Sequence, residues 1–134
     1  MAYPPSWRGV KGDRGTASAA LLGSHGRYLG YLNVTPRQGP ESLSDWTRFR
    51  PAHNVDEGDR AVHVMASAAG LRFRTGRGSC VQDSYATETG AHYVEIACLV
   101  AGSHASTVIV GAAPPSAWAS SGPLIERAIS AVTT

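Results

Sequence analysis

The sequence predicts one α+β domain: an antiparallel sheet of about six strands covered by helices in the order βββ-α-βββ-α, an α/β/α sandwich. Three features carry that expectation. Runs rich in β-branched and aromatic residues alternate with glycine- and proline-bearing turns. The connections between neighbouring runs are too short for a crossover, which makes the sheet largely antiparallel. Two stretches, Glu41–Ala69 and Ser116–Val132, repeat apolar residues at helical spacing.

In chain order, residues 1–6 with Tyr3-Pro4-Pro5 read as a linker arm, and residues 7–134 as the domain. Trp7–Val10 is a short strand with an aromatic anchor. Thr16–Leu22 and Arg27–Thr35 flank Gly23-Ser24-His25-Gly26 and form a hairpin. In Glu41–Ala69, Ser42 and Asp45 follow Pro40 in a capping-box pattern. Leu43, Trp46 and Phe49 make one apolar stripe. Ala61, Val62, Met65, Ala68 and Ala69 make a second, at i, i+1, i+4, i+7 and i+8. Pro51 and Gly58 interrupt, giving either one kinked helix or two helices that meet near residues 50–58, and Gly70 ends the region.

Three strands follow within Leu71–Ala113: Leu71–Thr87, His92–Val100 and Ser106–Ala113. In the middle one, Val94, Ile96, Cys98 and Val100 point one way, and Tyr93, Glu95, Ala97 and Leu99 the other. Both faces are apolar except for Glu95, so this strand is expected to be central and covered on both sides. Pro114-Pro115 stops the third strand. The closing helix carries Trp118, Leu124, Ile125, Ala128, Ile129 and Val132, with Pro123 in the first turn of its main part and Trp118 on a preceding turn.

Cys80 and Cys98 are the only cysteines. A three-residue turn Glu88-Thr89-Gly90, with Gly90 left-handed, sets Thr87 against Ala91 and Tyr85 against Tyr93. That register places Cys80 opposite Cys98, where a cross-strand disulfide fits. A shift of one residue in the turn breaks the pairing, leaving two free thiols as the alternative. A disulfide implies an oxidising compartment.

Composition bounds function more than it identifies it. The chain has 134 residues, enough for one domain with its own core. A net charge of +2 gives no argument for nucleic acid, and no apolar run reaches the ~20 residues of a membrane helix. Signal-peptide, phosphate-loop, nucleophile-elbow and metalloprotease patterns are absent from the sequence. No cofactor, metal or catalytic residue is expected. The candidate contact residues are His53, Asn54 and Glu57 at the helix junction, with Arg72 and Arg74 in a basic run. A solvated helix face is the favoured reading of the first group, and a charged edge strand that of the second.

The ending TVIVGAAPPSAWASSGPLIERAISAV resembles that of the PsbP/Mog1-like superfamily, where an apolar last strand leads to a tryptophan that opens a closing helix. The matching residues are Val108–Ala113, Trp118 and Leu124–Val132. The runs Gly30–Gly39, Gly78–Cys80 and Glu95–Val100 are similar to a group of actinobacterial secreted or lipoprotein domains. The resemblance implies a central antiparallel sheet between helical layers and a binding role without catalysis. A nuclear-transport-factor-like cone is the other fold considered, but its long helices precede most strands, whereas here a hairpin comes first. The expected function is therefore a non-enzymatic binding or accessory domain of the bacterial cell envelope. Its partner is an unidentified protein or small molecule, not nucleic acid, and a signal or lipid anchor is expected upstream. The alternative is a small-ligand-binding protein or enzyme that uses the His53–Glu57 junction with Arg72 and Arg74.

Overall fold

A computed structural model describes residue 3 and residues 5–12, 14–37, 39–74 and 76–132. The strands are β1 (Arg8–Val10), β2 (Ala17–Leu22), β3 (Tyr28–Pro36), β4 (Arg60–Phe73), β5 (Gly76–Ala86), β6 (His92–Ala101) and β7 (Ser106–Ala113). Helix α1 (Trp46–Asp56) lies between β3 and β4, and α2 (Trp118–Ser130) follows β7. All seven strands form one antiparallel sheet in the order β1-β2-β3-β7-β6-β5-β4. The chain lays down a three-strand meander, crosses with α1 to the far edge, and returns through a four-strand meander to close against β3.

The fold is mainly β, which corrects the expected βββ-α-βββ-α sandwich. The largest departure is Arg60–Phe73, read as helix in its Ala61–Ala69 part and found as edge strand β4. Its alanine stripe has no surface to cover: across Ala61–Gly70 only Val62 is even half-buried. A helix gains most of its stability from burying such a stripe. Here the backbone gains more by pairing with β5, and Val62 and Val64 suit a strand. The ladder is irregular in three places, and Gly70, at φ +68°, belongs to the third of these and caps no helix. The left-handed residue that ends α1 is Gly58, at φ +100°. The second departure follows from the first: Leu71–Phe73 finishes β4, and Arg74 begins the turn into β5.

The helices also differ from expectation in detail. Helix α1 runs through Pro51, and α2 is continuous from Trp118 through Pro123, so neither proline marks a boundary. The capping pattern before α1 is half realised, since the Ser42 amide donates to Asp45 Oδ1 at 2.7 Å. Of the expected arm, residues 1, 2 and 4 lie outside the described residues.

The centre of the sheet matches the reading of its sequence. Strand β6 sits between β5 and β7, and Val94–Val100 are all buried. Its alternation splits the core in two. Ile96, Cys98 and Val100 join Leu32, Ile109, Ala113 and, from α2, Ile125 and Ile129. Ala97 and Leu99 join Val81, Val108 and, from α1, Trp46. The two helices thus pack on opposite faces.

The β5–β6 turn fixes the register. The Thr87 amide donates to the Ala91 carbonyl at 2.8 Å, and Gly90 takes φ +86°. Tyr85 then faces Tyr93, and Cys80 faces Cys98. The two cysteines form a disulfide with a Cα–Cα distance of 4.1 Å. It closes a loop with a sequence separation of 18, and chain entropy gives such a link about 3 kcal/mol of stabilisation. Replacing both cysteines by serine is expected to lower unfolding stability by about that amount, read from urea melts of the variant and the parent protein.

Candidate functional site

Odd-numbered β5 and β6 residues share the α1 face with Val108, Val110 and Ala112 of β7, with Tyr31, Asn33 and Thr35 of β3, and with Ser18 and Ala20 of β2. Helix α1 packs over β4, β5 and β6. The β2–β3 end of this face has no helix on it and carries Ser18, Asn33 and Thr35.

A buried ionic cluster fastens α1 to the sheet. Arg50 grips Glu95 with both arms: Nη2 donates to Oε1 at 2.9 Å and Nε donates to Oε2 at 3.1 Å. Asn54, one turn on, donates through Nδ2 to Asp83 Oδ2 at 3.0 Å and to Glu95 Oε2 at 3.2 Å. Tyr85 donates to Glu95 Oε1 at 3.3 Å. Asp83 and Glu95 are facing partners on β5 and β6, and both are buried.

The cluster holds two carboxylates against one guanidinium. Burial and the negative Glu95 push the Asp83 carboxyl up to about 7, against the pull of the Asn54 hydrogen bond and Arg50. Burial, then Glu95, raises the Tyr85 phenol. Arg50 is held charged above its ordinary value, because Glu95 outweighs the burial that opposes it. With Asp83 protonated, the cluster is neutral.

The folded Asp83 binds its proton more tightly than the unfolded chain does. Its contribution to stability is therefore full below an ordinary aspartate value and is lost as pH rises toward 7. Wild-type stability is expected to fall across this window by a few kcal/mol, on the order of 1.4 per unit. Asp83→Asn should remove most of that slope, which chemical denaturation at a series of pH values would measure.

Three hollows run along the α1 face beside this cluster. One, of about 310 Å³, is lined by Trp46, Phe49, Arg50 and His53 of α1 with Thr35, Pro36 and Val108 of the sheet. The second, of about 430 Å³, is lined by Gly12, Thr16, Ser18, Tyr31, Asn33 and Val110, and shares Thr35, Arg50 and Val108 with the first. The third, of about 340 Å³, is lined by Tyr28, Tyr31, Asp59, Tyr85, Thr87 and Tyr93. The second is the polar one. Asn33 Nδ2 donates to Ser18 Oγ at 2.9 Å, and the Tyr31 and Ser18 hydroxyls lie 3.4 Å apart. Thr35 Oγ1, where the first two hollows meet, is buried with no hydrogen-bond partner among the described residues.

The residues expected from sequence are scattered over this geometry. Asn54 is buried in the ionic cluster. His53 stacks on Phe49 with ring centroids 5.7 Å apart and pairs with exposed Glu57 at 3.5 Å. Arg72 lines another hollow, with Cys80, Cys98, Glu126 and Ile129 beside α2, and Arg74 is exposed in the β4–β5 turn. The helix junction and the arginines therefore do not converge. Sequence reasoning missed Ser18, Tyr31, Asn33 and Thr35, which alternate along β2 and β3 on the face opposite Leu32 and Ala19. No group of three or more His, Cys, Asp or Glu side chains among the described residues is placed to hold a metal. No helix among them is long and apolar enough to cross a membrane.

No family model matches the chain, and no curated protein matches it. Among solved structures, it is similar to PA94 from Pseudomonas aeruginosa, a protein of unknown function described as a candidate regulator. The TM-score is 0.68 at 12% identity, covering 100% of this chain and 90% of that one. It is also similar to LpqN from Mycobacterium tuberculosis, involved in cell envelope biogenesis, with a TM-score of 0.49 at 11% identity over 97% of this chain and 77% of that one. A protein from Bacteroides thetaiotaomicron gives a TM-score of 0.49 at 13% identity over 86% of this chain and 38% of that one. At these identities the likeness to PA94 is one of fold alone.

Proposed function

We propose that this protein is a non-enzymatic binding or accessory domain of the bacterial cell envelope, and that its binding face is the polar hollow over β2, β3 and β7 beside α1. The observation that carries this reading is the half-covered α1 face. Helix α1 packs over the β4–β6 end of the sheet and reaches the hollow only with Arg50, leaving Ser18, Tyr31, Asn33 and Thr35 as the floor of an open concavity. Hydroxyl and amide groups beside a tyrosine ring suit a neutral polar ligand such as a saccharide or an uncharged peptide. Binding is favoured over catalysis because Asp83, the carboxyl poised near neutrality, is sealed beneath α1 with Asn54 on it. The disulfide supports an extracytoplasmic location. The resemblance of the C-terminal strand and helix to the PsbP/Mog1-like superfamily points the same way.

Thermal-shift screening of neutral oligosaccharides and short uncharged peptides tests the reading. A hit should stabilise the wild type and lose its effect in Asn33→Leu. Stabilisation that survives Asn33→Leu and Tyr31→Ala, but is lost on changing Arg72, would place binding on the other face and refute the proposed hollow.

A further inference from the structure

We propose that the β4 edge is a homodimer interface, through which two copies join their sheets antiparallel about a two-fold axis near Ser67. Strand β4 ends the sheet, and no described strand pairs beyond it. At 14 residues it is the longest strand described, with a span of about 45 Å. Between Arg60 and Arg72 it carries no Asp, Glu, Lys or Arg, so the usual charges that block edge pairing are missing from its middle. Val64 and Met65, 54% and 55% exposed, stand at the irregularity between Val64 and Ala66.

The charges at its two ends select a second copy as the occupant. At the start of β4 lie Asp56, Glu57 and Asp59, with Glu88 brought over Gly58 by the β5–β6 turn. The local cation there, Arg60, is turned onto the Thr87 and Glu88 carbonyls. At the other end lie Arg72, Arg74 and Arg77, with Glu126 of α2 beside Arg72. Antiparallel pairing about Ser67 sets the acidic end of each copy against the basic end of the other, twice. Two of the irregularities in the β4–β5 ladder fall on either side of Ala66-Ser67-Ala68, a regular segment paired to Gln82, Val81 and Cys80. An isologous contact needs such a self-complementary patch, and a short strand-edge contact suits micromolar association.

Sedimentation equilibrium of the disulfide-bonded protein from low micromolar to high micromolar concentration tests this. The expected result is a reversible monomer–dimer equilibrium that weakens at least tenfold on raising salt. Ser67→Glu, which sets two carboxylates across the axis, should give a monomer with an unchanged far-ultraviolet spectrum and melting temperature. Arg77→Glu, at an exposed position, should weaken the dimer, and adding Glu57→Arg, which faces it about Ser67, should restore association. A wild-type monomer at every concentration overturns the proposal and leaves the edge to a strand from a different protein. A dimer indifferent to Ser67→Glu, Arg77→Glu and salt overturns it equally.

Discussion

Replacing Arg50 by methionine is expected to cost about 3 kcal/mol of unfolding stability, lowering the melting temperature by about 10 °C. The guanidinium is the cation that both oxygens of Glu95 face. Glu95 is 2% exposed and stands in the middle of an otherwise apolar strand. Without Arg50 it keeps only the donors of Asn54 and Tyr85, and a buried carboxylate without a countercharge is one of the costliest defects a core can hold. The effect sits at the lower end of its class because Arg50 retains some contact with solvent, its side chain being 17% exposed. The double replacement Arg50→Met with Glu95→Leu should recover most of the loss, since the defect is the orphaned charge and not the missing bridge. Thermal melts of the two variants against wild type measure both.

Trp46→Ala should be at least as damaging, at about 3–5 kcal/mol. Trp46 opens α1, is 1% exposed, and packs with Val81, Ala97, Leu99 and Val108. Its ring stacks on Phe49, with centroids 5.9 Å apart, and its Nε1 donates to the Ala97 carbonyl at 2.9 Å. The residue is thus a plug and a tie, joining the helix to the central strand. Trp46→Phe separates the two roles. It keeps most of the ring but drops the hydrogen bond, and should cost about 1–2 kcal/mol. Urea denaturation monitored by circular dichroism distinguishes the two sizes of effect.

Much of the sheet's centre could be read from residue order because there the local signals agree. Gly90 sets a three-residue turn, alternation in Val94–Val100 sets the faces, and together they place Cys80 against Cys98. The same register puts Asp83 opposite Glu95. Two acids facing each other in buried strands were therefore a signal that a cation and an amide must come from elsewhere, and Arg50 and Asn54 on α1 are those groups. The β4 edge was hidden for a physical reason. Ala61, Met65, Ala68 and Ala69 prefer helix intrinsically, and their spacing imitates a helical stripe. What overrides them is tertiary: β5 needs a partner, and the strand is exposed, so no burial rewards the helical period. The polar hollow was obscured because Ser18, Asn33 and Thr35 are ordinary strand residues one by one. They become a site only when β2 and β3 pair in register and α1 stops short of them.

The proposed ligand contact lies on that hollow. Its most direct test is a backbone amide nuclear-magnetic-resonance titration of the disulfide-bonded protein with the oligosaccharide or peptide that stabilises it most. Shift changes are expected to concentrate at Ser18, Tyr31, Asn33, Thr35 and Arg50, and to leave Arg72, Glu126 and Ile129 unmoved. Changes centred on those last three residues would contradict the account and move the binding face to the α2 side of the sheet.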